Sequence, residues 1–138
     1  MRTSTFLLGL VLIAGCGGPK LASVSGTVTL DGQPLANASV TFQPMGEGNL
    51  NPGQGSYAKT DQNGNYTLEM QGGKKGAVVA KHKVEISAVT GGAGRPDDDR
   101  PQRQQRDRVP AQYNTQSKLT VEVKPGENVG NFDLKSRP

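Results

Sequence analysis

Three oxygen-bearing side chains stand at alternate positions in "DQNGN": Asp61, Asn63 and Asn65. That is how a calcium loop begins, because a hard cation collects oxygen ligands from alternate residues. The glutamate that would close such a loop is missing: position 72 is Gly72, and Glu69 falls in a stretch that alternates like a strand. Asn63-Gly64 between two strands is a strong hairpin signal, so Asp61, Asn63 and Gly64 read as a structural turn without a metal. The run Asp97-Asp98-Asp99 could also gather a cation. Arg95, Arg100, Arg103, Arg106 and Arg108 surround it, however, and they oppose a cation and pair with the aspartates. The same arginines could meet phosphate, but nucleic-acid binding needs a basic patch backed by stacking aromatics. Only Tyr113 lies nearby, so nucleic acid is not an expected partner. His82 is the sole histidine, which rules out a paired-histidine zinc site. Catalysis through His82 would need the fold to bring a serine or similar nucleophile against it. Strict alternation places it instead on an inward face beside Ala80 and Val84. No catalytic residue, cofactor or metal site is expected.

The only cysteine, Cys16, raises a different chemistry. Arg2 is followed by Phe6–Ala14 without a charge, then by small residues. A basic start, a short apolar run and small residues describe a secretory signal. The run is too short for a spanning helix, which takes about 20 residues. Ile13-Ala14-Gly15-Cys16 resembles the bacterial lipobox. That resemblance implies a diacylglyceryl group on the Cys16 thiol, cleavage before Cys16, and acylation (palmitate) of the new amino terminus. It also resolves why an exported chain would keep one cysteine with no disulfide partner. Residues 1–15 are then the lipoprotein signal peptide and 16–22 a lipidated tether. Gly17 lacks the aspartate that retains some lipoproteins in the inner membrane, which favours the outer one. The seven residues between Cys16 and Val24 span at most roughly 25 Å, so the domain is expected close to the bilayer.

Removing 15 of the 138 residues leaves 123, enough for one domain with a modest core. Fifteen basic and 12 acidic residues remain after Arg2 is lost, a mild excess of about +3. It permits attraction to anionic lipid or wall polymer without specifying either. Nineteen glycines and nine prolines with no tryptophan point to turns rather than long helices.

The elements that must position these residues alternate with period two. In "SVSGTVTL" Val24, Gly26, Val28 and Leu30 share a face. In "NASVTFQP" Ala38, Val40 and Phe42 point inward. "SYAKT" is a short strand, and "YTLEM" sets Tyr66, Leu68 and Met70 on one side. The longest expected strand runs from Val78 to Ala88, with His82, Val84 and Ile86 inward. "KLTVEVK" and "NFDL" close the chain around the turn "PGEN". About seven short strands with one apolar face each predict an all-β, antiparallel Greek-key β-sandwich over residues 23–136. A single open sheet would leave Val28, Val40, Leu68, Ile86 and Val121 wet. Residues 90–108 carry no aromatic or large aliphatic side chain before Val109, so a mobile loop is expected over about 90–112.

Two stretches carry a more specific likeness. "VSGTVTLDGQPLANASVTFQP" resembles the opening of carboxypeptidase regulatory-like, or transthyretin-like, β-sandwich domains, matching at Gly26, Val28, Gly32, Pro34, Leu35, Ala38 and Val40. "KTDQNGNYTL" resembles their second hallmark at Thr60, Asp61, Gly64 and Tyr66. The likeness implies an accessory module without catalytic residues, tied to folding, adhesion or placement beside an enzyme or receptor. Transthyretin-like hydrolases depend on more than one histidine, so their activity does not carry over. A lysine–asparagine cross-link of the kind found in some surface sandwiches is not expected, because the first strand has no lysine.

The sequence reading is therefore a bacterial cell-envelope protein, held to the membrane by lipid on Cys16. Its β-sandwich would act as a non-catalytic binding or structural accessory, with an envelope protein or glycan as partner. Two alternatives stay open: an envelope enzyme or enzyme subunit working through the 90–112 loop, and a lipoprotein binding a small ligand or glycan.

Overall fold

A computed structural model of the chain describes residues 19–46, 53–90 and 106–137. Cys16, the signal segment 1–15 and residues 91–105 of the expected loop lie outside the described residues. The strands are β1 (Leu21–Leu30), β2 (Gln33–Pro34), β3 (Ser39–Pro44), β4 (Ser56–Lys59), β5 (Asn65–Thr67), β6 (Glu69–Met70), β7 (Ala77–Val78), β8 (Lys81–Ser87), β9 (Val89–Thr90), β10 (Arg106–Asp107), β11 (Thr120–Glu122), β12 (Glu127–Val129) and β13 (Phe132–Leu134). The fold is all-β, with two sheets packed face to face.

β1 is the spine of the first sheet. Along one edge it pairs antiparallel, in succession, with β7, β5 and β2. Along the other edge it pairs with β12 and β13, and these two run parallel to it. Their direction follows from the connection: the chain leaves β11 at the rim of the second sheet and crosses at residues 123–126. The second sheet has the order β11-β8-β3-β4-β6 and is antiparallel throughout.

The stretch from Val78 to Ala88 is not one strand, and β1 is the longer element. The chain changes sheets at Val79–Ala80, where Val79 N–H donates to the Lys20 carbonyl (2.8 Å) and the Ala80 carbonyl accepts from Val123 (2.9 Å). "YTLEM" divides in the same way around Leu68, whose N–H donates to Val24 while its carbonyl accepts from Gly76.

Alternation places the core. Val24, Val28, Val40, Phe42, Leu68, Val84 and Ile86 are almost wholly buried, and Leu35, Val123 and Leu134 complete the layer. Each such side chain contributes about 1.5–3 kcal/mol when fully buried. In "KLTVEVK" it is Val123 that is buried, while Val121 on the rim strand is partly covered.

Two expected boundaries move. β1 begins at Leu21, inside the span 16–22 read as tether, and Lys20 is already bonded to Val79. The loop read over 90–112 is structured at its far end. Arg106 and Asp107 pair with Thr90 and Val89, and Ala111–Tyr113 forms a 3-10 turn.

Candidate functional site

Two of the residues that carried the family likeness, Gly26 and Tyr66, meet at the middle of β1. The register of β12 and β13 on β1 sets Gly130 opposite Gly26. The Gly130 carbonyl turns away from the ladder and toward Gly26: a Cβ at position 26 would lie 1.9 Å from that oxygen and 3.1 Å from the Tyr66 ring. Tyr66 crosses this gap, and its hydroxyl donates to the Gly130 carbonyl at 2.6 Å. Burial pushes the Tyr66 hydroxyl above its ordinary pKa, so it remains a donor. Its ring stacks beside Phe132 at 6.4 Å between centroids. The arrangement locks the parallel strand to the sandwich and satisfies a buried carbonyl that would otherwise be costly.

Thr60 does similar work at the far end of the sheets. Its hydroxyl donates to the Leu35 carbonyl (2.5 Å) and accepts from the Ala38 N–H (2.8 Å), clipping the turn that leads into β3. Next to it, Asp61 Oδ1 accepts from the N–H groups of Asn63 and Asn65, both at 2.9 Å. Gly64 donates to the Asp61 carbonyl at 3.0 Å. Asn65 Oδ1 is turned away to accept from the Thr27 hydroxyl at 2.8 Å. Gly64 has φ 76°, and a Cβ there would lie 2.4 Å from the Val28 carbonyl oxygen. A β-branched residue resists that backbone region and has no room. Gly64→Val is therefore expected to cost about 3 kcal/mol or more. Thermal melts of the wild type in calcium and in chelator should overlay, and a reproducible upward shift with calcium would make the turn a metal loop instead.

His82 is wholly buried on β8. Its Nε2 lies 2.7 Å from the Val78 carbonyl, which requires the proton on Nε2, and its ring tilts against Phe42 at 5.8 Å. Its Nδ1 and the Ser56 hydroxyl are buried with no hydrogen-bond partner among the described residues. The two are not hydrogen-bonded to each other. Ser56 lies opposite Phe42 and His82 opposite Pro44 on the intervening β3, so two strand spacings and a two-residue offset put their backbones roughly 12 Å apart.

Asp107 is the polar centre that sequence reasoning missed. Its Oδ2 accepts from the Ser87 hydroxyl (2.5 Å) and the Asn114 amide (3.1 Å), and its Oδ1 from the N–H groups of Ala88 (2.8 Å) and Val109 (2.9 Å). Partial burial works to raise its pKa, but the bonds from Ser87, Ala88 and Val109 outweigh it and hold the carboxylate below its ordinary value. A carboxylate so occupied is a clasp at the base of the 91–105 segment rather than a proton acceptor. The available signal was a single acid just before Val109-Pro110, where the chain turns apolar again.

Asp107→Ala is expected to lower stability by about 2 kcal/mol at neutral pH, in line with bonds to a charged acceptor and discounted for exposure. The group's pKa is lower folded than unfolded. Its contribution is therefore complete above about pH 4 and fades as pH falls through the folded value. Denaturant curves of both proteins should converge in acid. A constant gap down to low pH would mean that the ionised form is not what matters.

Among the described residues, no three or more His, Cys, Asp or Glu side chains converge on a point that could hold a metal. No helix among them is long and apolar enough to cross a membrane. Comparison of the chain with protein-family models, curated proteins and solved structures found no match.

Proposed function

We propose that this chain is a lipid-anchored protein of the bacterial cell envelope, held by Cys16, whose β-sandwich serves as a non-catalytic binding or structural accessory of the carboxypeptidase regulatory-like kind. The observation that carries the reading is the lone Cys16 in "LIAGC", with the first strand beginning five residues later. A thiol so placed anchors the domain directly behind it. The residues shared with the regulatory-like pattern support the second half. Gly26, Thr60, Asp61, Gly64 and Tyr66 are each engaged in holding turns and strands together. An accessory of this kind acts on an envelope protein or glycan beside the membrane.

Cross-linking in intact cells of the native host, with wild type and Cys16→Ser in parallel, tests the proposal. The expected result is a small reproducible set of membrane-proximal partners captured by the wild type alone. An identical set from both proteins would separate function from anchoring and overturn it.

A further inference from the structure

The chain leaves almost no slack between the proposed anchor and the fold. Lys20 already bonds Val79, so only Gly17, Gly18 and Pro19 stand between Cys16 and the first bonded residue. Four residues span at most about 14 Å. The headgroup region of each leaflet is itself about 5–8 Å deep, so the end of the sandwich at which β1 begins lies against it.

Three backbone bonds assemble the rim of that end across both sheets. Val79 donates to Lys20 (2.8 Å), Val123 to Ala80 (2.9 Å) and Met45 to Lys81 (2.8 Å). They gather three exposed lysines, Lys20, Lys81 and Lys124, with two exposed aliphatic side chains, Leu21 (39%) and Met45 (46%). Lys74 and Lys75 come next, on the hairpin after β6. Among the described residues, the carboxylates of this region are Glu122 opposite Lys81, Glu69 opposite Lys75, and Glu127 opposite Ser23. Among the described residues, five lysines against three glutamates leave a positive excess. All four described aspartates, Asp31, Asp61, Asp107 and Asp133, lie at the other end, where Lys59, Arg106, Arg108, Lys135 and Arg137 offset them. Lysines whose stems lie beside exposed aliphatic groups suit the boundary between acyl chains and headgroups.

We infer that this rim docks on the anionic phospholipid headgroups of the membrane that holds Cys16, so that the domain stands with β1 rising from the bilayer and the Asp107 clasp facing away. The inference rests on the lipid-anchor reading, and it turns a tether into an orientation: the partner-facing surface is the far end of the sandwich.

The test couples the chain from Cys16 onward, which contains every described strand, to a maleimide phospholipid through its single thiol. Vesicles of phosphatidylcholine with and without phosphatidylglycerol are compared by lysine acetylation and mass spectrometry. Lys20, Lys81 and Lys124 should react about fivefold more slowly on the anionic vesicles, the factor set by one lysine's attraction to such a surface. Lys59 and Lys135 should not change, and high salt should remove the difference. Equal rates on both vesicles, or slowing at Lys59 and Lys135 instead, would overturn the inference. So would equal protection by inorganic phosphate alone, which would assign the rim to a soluble anion. Because the anchor is supplied chemically, the result is independent of whether cells lipidate Cys16.

Discussion

Gly26→Ala is expected to abolish the cooperative fold. One methyl group at this position would sit 1.9 Å from the Gly130 carbonyl oxygen, which belongs to backbone and cannot swing aside like a side-chain tip. Relief requires β12 and β13 to leave β1, and with them goes the Tyr66–Gly130 hydrogen bond. The cost should exceed about 4 kcal/mol, a large share of the roughly 5–15 kcal/mol that holds a typical domain. Tyr66→Phe serves as the control. It keeps the ring and loses only the hydroxyl, leaving a buried carbonyl unpaired at about 1–3 kcal/mol. Circular dichroism and denaturant titration read both. A Gly26→Ala protein that melts with the wild type would mean that β1 and the parallel strand are not packed this closely.

Cys16→Ser is expected to act at the other extreme, without touching the fold. Fatty-acid labelling should disappear, residues 1–15 should stay attached, and the domain should still unfold cooperatively, because every described strand lies beyond residue 19. Metabolic labelling with a fatty-acid analogue, followed by fractionation, measures it. Labelling that survives the substitution would place the acyl chains elsewhere and remove the basis for a short tether.

Much of the sandwich was legible because period two is a local property. Ala38, Val40 and Phe42 in and beside β3, Tyr66, Leu68 and Met70 along β5 and β6, and His82, Val84 and Ile86 in β8 are all buried, and alternation alone selects that set. Gly26 was legible as a glycine within an alternating strand, though not the group that would approach it: Gly130 lies 104 residues away. The parallel direction of β12 and β13 has no local signature, since it depends on where the chain crosses between sheets. The same holds for the break at Val79–Ala80, where continuous alternation conceals a change of sheet. Asp107 looked like one more charge in a polar run because its partners, Ser87 and Asn114, are ordinary residues until folding gathers them. The early start of β1 at Leu21 was hidden by the glycines and proline before it.

The central claim is that Cys16 carries the membrane anchor, and the mass of the amino-terminal peptide tests it most directly. Protein extracted from membranes of the native host and cut with trypsin should release Cys16–Lys20 as its first peptide. That peptide should bear a diacylglyceryl group on sulfur and an acyl chain on the amino terminus. A peptide with the Gly15–Cys16 bond intact and a free thiol would contradict the account.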